Sequence, residues 1–330
     1  MTRRERLLYF LYLHRTGLTV CALTLLLAVY PPLLGNPYRL GVTNQIALYT
    51  MVVLGLNLFI GYAGQISLGH AAFFALGAYG SALLSGEWGL DPWLALPLAV
   101  LAASVFALLV GIPALRLHGH YLAMATLGFN LVVYIVLVQW DAVTGGPSGY
   151  AGIPPLALGT FALDSDLRLH YLVWGAALLC LTLALNLVRS GVGRGLAAVA
   201  GDEVAAAALG VNPRVAKIKV FVLSAGFAAL AGGLYAHGFG FVSPDTFGIF
   251  ASVDFVTMVV VGGLGSVWGS LFGVALLTWL PEWIDRFDSF KEIAHGAILV
   301  GVLLFLPQGL VTGLVDLARV RLALWKARHA

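Results

Sequence analysis

The sequence has very little charge. Only 10% of its 330 residues are Asp, Glu, Lys or Arg, whereas an ordinary soluble domain carries charge at about a quarter of its positions. Hydrophobic residues make up 60% of the chain, and no long hydrophilic tract separates the apolar runs. This excludes a soluble catalytic or ligand-capturing domain within these residues. The composition predicts an all-α membrane protein with most of its chain inside the bilayer.

Motifs that carry chemistry are also missing. Cys21 and Cys180 lie alone in apolar runs, so they predict neither a disulfide nor a metal site. No Gly is followed by Lys, which excludes the phosphate-binding loop of ATPases. His118 and His120 form an isolated pair that we interpret as loop histidines. Without a clustered nucleophile and base or paired carboxylates, an intramembrane enzyme is disfavoured, and we predict no cofactor, no metal and no nucleic-acid partner.

Long apolar runs dominate what is present. A helix of about 20 apolar residues crosses the hydrocarbon core of a bilayer, and ten such runs predict ten transmembrane helices. Because no small-residue cleavage site follows the first run, we predict a retained span rather than a signal peptide. The predicted spans are 17–35, 43–61, 65–85, 92–114, 121–139, 170–189, 217–238, 250–265, 267–284 and 293–312.

The positions of the charges predict the orientation. If the N-terminus is cytoplasmic, most of the 18 basic residues fall on the cytoplasmic side, as the positive-inside rule requires. They lie in the N-terminal segment, in the loop 189–219 and in a basic tail at 316–330. Most of the eight tryptophans then lie at the other interface, as an aromatic belt. We predict a multi-pass membrane protein with both termini in the cytoplasm.

Ten spans divide into two halves of five. We place the first half at 1–140, an outer loop at 141–170 and the second half at 171–315, all within one membrane domain. An odd number of spans per half forces the halves into opposite orientations, which predicts an inverted repeat. Gly61–Gly64 and Gly262–Gly265 are its weak trace, since each follows an apolar run and is rich in glycine. Common use of glycine in membrane helices is the alternative explanation.

A few polar side chains fall within predicted spans. Because a polar group at membrane depth is costly unless it faces protein or water, each is a candidate for a translocation pathway. The alternative for each is a hydrogen bond to a helix end or to a neighbouring helix. Asp254 falls within the eighth span or at its outer edge. The pathway candidates are Gln65, Ser67 and His70 at the start of the third span, with Asn57 and Asn130 in the second and fifth spans.

Several stretches together resemble one family, the LivM-type permease subunits of branched-chain amino-acid ABC importers. The resemblance covers almost the whole chain. Each glycine- and alanine-rich stretch is weak alone, but their order is specific. The stretches are Gly61–Tyr79, Tyr121–Gly128, Thr144–Gly149 with Gly152–Pro154, Gly201–Gly210, Ser224–Tyr235 and Val260–Gly269.

The inner loop 189–219 contains an alanine-rich segment, Leu196–Leu209, that favours a helix. A helix this short is marginal alone in water, so docking would stabilise it. The resemblance names the partner, a cytoplasmic ATPase subunit that receives a coupling helix. In the family motif a Glu directly precedes two alanines, whereas here Val204 takes that position and Glu203 lies one earlier. A loop lying on the membrane surface is the alternative. The predicted coupling residues are Gly201, Asp202, Glu203, Ala205, Ala206, Leu209 and Gly210.

The resemblance implies a transport subunit that performs no chemistry itself. Its implied partners, besides membrane lipid, are a second homologous permease, two ATPase subunits and a periplasmic or extracellular substrate-binding protein. The implied cargo is a branched-chain or other hydrophobic amino acid, with urea or short amides as the alternative. An autonomous secondary transporter with inverted repeats is the rival class, although it usually needs ionisable groups within its spans. The outer loop 141–170 either contacts a binding protein or simply connects the halves.

Overall fold

The computed structural model describes residues 15–34, 36–158, 161–163 and 165–284, and these residues are mostly helical. The predicted tenth span 293–312, the tail 316–330 and the first arginines lie outside them. The helices are α1 Arg15–Leu34, α2 Pro37–Asn57, α3 His70–Gly86, α4 Pro92–Ala114, α5 His120–Gln139, α6 Asp141–Thr144, α7 Asp166–Arg189, α8 Gly191–Gly201, α9 Glu203–Ala208, α10 Pro213–Phe239, α11 Ile249–Gly262 and α12 Val267–Ile284.

Five of the described helices are long and apolar enough to cross a membrane. They are α2, which continues through a π-helical turn at Leu58–Tyr62, and α4, α5, α7 and α10. The eighth and ninth predicted spans instead form a bent pair, since the chain changes direction by 120° between α11 and α12. With 14 residues, α11 is about 21 Å long, too short to cross a hydrocarbon core of about 30 Å alone. The fold is therefore that of a polytopic α-helical membrane protein, and the count of ten spans stays a prediction.

Small residues set the packing of α3 against α10. A Cβ on Gly77 would collide with the backbone of Ala229, and one on Gly232 would collide with the backbone of Phe74. Side chains cannot intervene at these points, so the two backbones lie in direct contact. Since apolar side chains gain little by leaving lipid, such close backbone approach is a main source of helix association in membranes.

The paired residues also fix the directions of the helices. His70 bonds Ser224 near one end of α3, and Ser81 bonds His237 further along, so α3 and α10 run in parallel. Loops therefore gather at two ends of the bundle, and α8 and α9 lie at the end where α10 begins. At the opposite end, β1 (Tyr150–Ala151) pairs with β4 (Phe241–Val242), and β2 (Ala157–Leu158) pairs with β3 (Phe161–Ala162). These two-residue strands are small departures from the predicted all-α fold.

The close contact between α3 and α10 can be tested with Gly77→Ala. The added methyl group meets the Ala229 backbone, so we expect the free energy of unfolding to fall by about 1–3 kcal/mol, the usual cost of overpacking. The measurement is thermal denaturation of the purified protein in mild detergent. Gly128→Ala is the matched control because nothing lies within 4 Å of its added Cβ. Equal loss of stability in both variants would contradict the packing argument.

Candidate functional site

The first half of the chain contains a helix break. The π-helical turn ends α2, and residues 63–69 are irregular before α3 begins at His70. Gly64 has φ of +67°, a conformation that favours glycine. The predicted third span started at residue 65, so the structure corrects its start. Gln65 and Ser67 precede the helix rather than occupying its first turn.

A second break lies between α11 and α12. Gly263 and Gly265 have φ values of +117° and +72°, which allow the chain to turn sharply before α12 starts at Val267. Irregular backbone within a membrane domain must satisfy its hydrogen bonds inside the protein. The partner that does so here comes from the other half of the chain.

Asn57, a predicted pathway residue, joins the two breaks. Its Nδ2 donates to the Ser266 carbonyl at 2.9 Å and to Ser270 Oγ at 2.8 Å. Its Oδ1 accepts from the Gly265 N–H at 2.9 Å. Gly61 lies directly against Gly265, with no room for a Cβ between them. The two glycine-rich stretches singled out in the sequence are therefore in contact.

His70 connects the first break to α10. Its Nε2 lies 3.0 Å from Ser224 Oγ, and its Nδ1 lies 3.3 Å from Ser67 Oγ. The imidazole is only 1% exposed and packs beside Phe73 and Phe221. Ser224 lies near the middle of α10, Pro213–Phe239, so His70 is placed about midway along the longest helix described. Both ring nitrogens of His70 thus have partners within the chain.

The remaining two pathway candidates differ from each other. Gln65 is buried and donates to the Ala63 carbonyl at 3.2 Å. Asn130 is 0% exposed, and neither its Nδ2 nor its Oδ1 has a hydrogen-bond partner among the described residues. On α5 it lies one turn from Thr126, which accepts from the Leu68 N–H. An unpaired buried amide is costly, so Asn130 is the candidate whose polar atoms remain available.

The inner loop forms two short helices rather than the single helix predicted at Leu196–Leu209. Asp202 has extended backbone and separates α8 from α9. Its carboxylate accepts from the Val204 N–H at 2.7 Å and from the Ala205 N–H at 3.0 Å, which caps α9. Asp202, a predicted coupling residue, therefore both ends α8 and begins α9.

An ion pair anchors α9 to the membrane bundle. Glu203 bonds the ammonium group of Lys217, which is only 2% exposed although it belongs to a loop-proximal turn of α10. Ala206 on α9 is also buried. After α9 the chain turns at Gly210, which has φ of +86°. The anchoring Lys217 was missed because its spacing from Glu203 gives no sequence signal.

The outward face of this loop is apolar. Val204 is 80% exposed and Leu209 is 81% exposed, with exposed Ala205 between them. A surface of this kind beside charged groups is typical of a protein contact. Of the predicted coupling residues, Ala206 supports the loop from within, whereas Ala205 and Leu209 face outward.

A separate cavity of about 660 Å³ lies towards the opposite end of α3, α4 and α5. Most of its lining is apolar, with exposed Glu87 and Trp88 among the lining residues. The Glu87 carboxylate accepts from the Tyr150 hydroxyl at 3.3 Å. The cavity therefore suits an apolar group, and it lies apart from the two helix breaks.

Together, the fold and these sites define a class: a multi-span helical membrane transport protein whose discontinuous helices meet inside the bundle. The chain belongs to the branched-chain amino acid transport system / permease component family, whose model matches residues 38–307. Members of this family are transport permeases and not enzymes.

The chain is also similar to named permease proteins of branched-chain amino acid transport systems. The chain is 36% identical over 311 residues to the high-affinity branched-chain amino acid transport system permease protein LivM of Escherichia coli, covering 87% of this chain and 73% of LivM. It is 26% identical to LivH of the same organism and 27% identical to BraD of Pseudomonas aeruginosa, each over 80% of this chain and 91% of the relative. No solved structure matches the chain.

The joining role of Asn57 can be tested with Asn57→Ala. The substitution leaves the partly buried Gly265 N–H without its partner and removes the donor that Asn57 gives to the Ser266 carbonyl, so we expect the free energy of unfolding to fall by about 1–3 kcal/mol. Thermal denaturation in detergent measures this change. Asn186→Ala, at an exposed position on α7, is the control and should be nearly neutral. A neutral Asn57→Ala would show that the breaks hold together without it.

Proposed function

We propose that this chain is the membrane-spanning permease subunit of an ATP-binding-cassette importer that carries branched-chain amino acids across the bacterial inner membrane. The observation that carries the proposal is the likeness to LivM over most of both chains. The low charge within the described spans suits a substrate with an apolar side chain. ATP hydrolysis is assigned to separate subunits.

The α8–α9 loop supports an ATPase partner. Its α9 helix is held by the Glu203–Lys217 ion pair and presents Val204 and Leu209 outward. A charge pair anchored in the bundle transmits a push on α9 to α10 as one body. We assign the predicted coupling segment, Gly201–Gly210, to contact with the ATPase groove. We propose that this loop and both termini lie on the cytoplasmic side.

The meeting of the two breaks supports inverted halves. An inverted repeat has a pseudo-twofold axis between its halves, and equivalent segments meet where they lie next to that axis. Gly61 and Gly265 are such a contact, and Asn57 bonds across it. We infer that the chain bends at these two breaks during transport.

Asn130 is the strongest of the five pathway candidates. Its amide has no partner among the described residues, whereas the other four candidates are already hydrogen-bonded within the chain.

A second homologous permease is the expected membrane partner. LivM and LivH of Escherichia coli are named for the same transport system, and this chain is similar to both. We propose that the loops at the opposite end, which include 141–158, face a substrate-binding protein. The alternative role of those loops is to connect the halves.

Two rival functions remain testable. A permease for urea or short amides uses the same architecture with a different cargo. An autonomous secondary transporter usually carries several ionisable groups at membrane depth, whereas the described residues offer only His70 and Asp254 there. Uptake by such a carrier would depend on an ion gradient, and uptake by an ATP-driven importer would not.

Isolation of the assembled complex tests the proposal most directly. The tagged chain is purified from its native membrane in mild detergent, its companions are identified, and ATP hydrolysis is measured. We expect a second permease and two ATPase subunits, with leucine uptake into vesicles that requires ATP and the binding protein. A chain recovered alone that still transports would overturn the importer, and uptake of urea but not leucine would change the cargo.

The coupling contact predicts a specific loss of assembly. Val204→Glu and Leu209→Glu each place a carboxylate on the apolar face of α9, and burying an unpaired charge against a partner is costly. We expect both variants to lose co-purification of the ATPase subunits while the permease remains folded. Val192→Glu is the matched control, since Val192 is an exposed apolar residue on the neighbouring α8. Retention of the ATPase by both test variants would contradict the assigned contact.

A further inference from the structure

Helix α11 exposes a carboxylate at membrane depth. Asp254 lies on its exposed face, two residues after Ser252, whose Oγ accepts from the Ala71 N–H at 3.2 Å. Ala71 follows His70, which bonds the middle of α10. Asp254 is therefore placed within the bilayer core rather than at either end of the bundle.

The other long spans behave differently. Charged residues on α2, α4, α5, α7 and α10 are absent or confined to the first or last seven residues of each helix. The exposed faces of α4 and α5 consist of apolar side chains such as Leu101 and Val132, as expected of surfaces in lipid. A carboxylate cannot share that environment without a large cost, so the Asp254 face of α11 meets water or protein.

Polar groups on α2 lie beside Asp254. Gln45 Nε2 donates to the Tyr49 hydroxyl at 2.9 Å, and both side chains are partly exposed. The Tyr49 ring packs on Phe255, the residue that follows Asp254, at 5.3 Å between ring centroids. We call Gln45, Tyr49 and Asp254 the polar strip. It is a set of hydrogen-bonding groups on two adjacent helices.

We propose that the polar strip lines the aqueous translocation pathway and that the Asp254 carboxylate binds the ammonium group of the amino acid in transit. The inference rests on the proposed function for its ligand. A zwitterion crossing an apolar bundle needs a counter-charge for its ammonium group, and Asp254 supplies one. Exposed Phe250 and Val253 on the same helix offer apolar contacts to the substrate side chain.

The pathway part is tested without reference to the substrate. In the assembled complex, with Cys21 and Cys180 replaced by alanine, Asp254→Cys is treated with a membrane-impermeant, negatively charged methanethiosulfonate. Leu101→Cys, on the exposed apolar face of α4, is the matched control. We expect Asp254→Cys to react at least about tenfold faster, because thiolates form in water and not in hydrocarbon. Equal, slow reaction at both positions would overturn the pathway assignment.

The ammonium part is tested by transport kinetics. We expect Asp254→Asn to raise the KM for leucine by about tenfold or more, as expected when a charge-assisted contact is lost, and Asp254→Glu to restore much of it. Asn186→Ala, at an exposed position on α7, is the control and should leave KM unchanged. An unchanged KM in Asp254→Asn would overturn the ammonium site.

The labelling and transport experiments distinguish failure of this inference from failure of the proposed function. If the unmodified complex carries no leucine, the proposed function fails, while fast labelling of Asp254→Cys still identifies the pathway. If leucine uptake is normal and labelling is slow, the function stands and the polar strip is an intersubunit contact instead.

Discussion

Backbone groups at a helix break in a membrane have no water to bond, and this constraint shapes the whole structure. The chain contains two such breaks, at residues 63–69 and 263–266. At the second break, the side-chain amide of Asn57 supplies the hydrogen bonds. It donates to the Ser266 carbonyl and accepts from the Gly265 N–H. Because Asn57 belongs to the helix that ends at the first break, each break positions the other.

Close packing of small residues supports this arrangement. The contact of Gly77 and Gly232 with backbone atoms brings α3 and α10 together, and this fixes the depth at which His70 meets Ser224. Since lipid offers no hydrophobic drive between apolar helices, the backbone contact and the buried hydrogen bonds provide the specificity. The breaks lie at a defined depth because the helices around them have no freedom to slide.

Charge is segregated for the same physical reason. Basic residues gather at the end that carries α8 and α9, and there Lys217 is buried by pairing with Glu203. A buried ammonium group is tolerated only with such a partner. The pair turns an isolated six-residue helix into a fixed feature of the bundle, with Val204 and Leu209 on its outer face. Asp254 is the exception on α11, and its side chain is exposed.

The sequence by itself determined the membrane class, the positions of several apolar helices, the family and the polar residues worth inspecting, because hydropathy and motif order are local properties of the chain. Only the tertiary structure decided which of these residues meet. Asn57 and Gly265 lie in different halves, and no local pattern shows that they bond. The bend between α11 and α12, the division of the inner loop at Asp202 and the burial of Lys217 likewise depend on packing. Hydropathy reports how apolar a segment is, but not whether its neighbours allow it to continue straight.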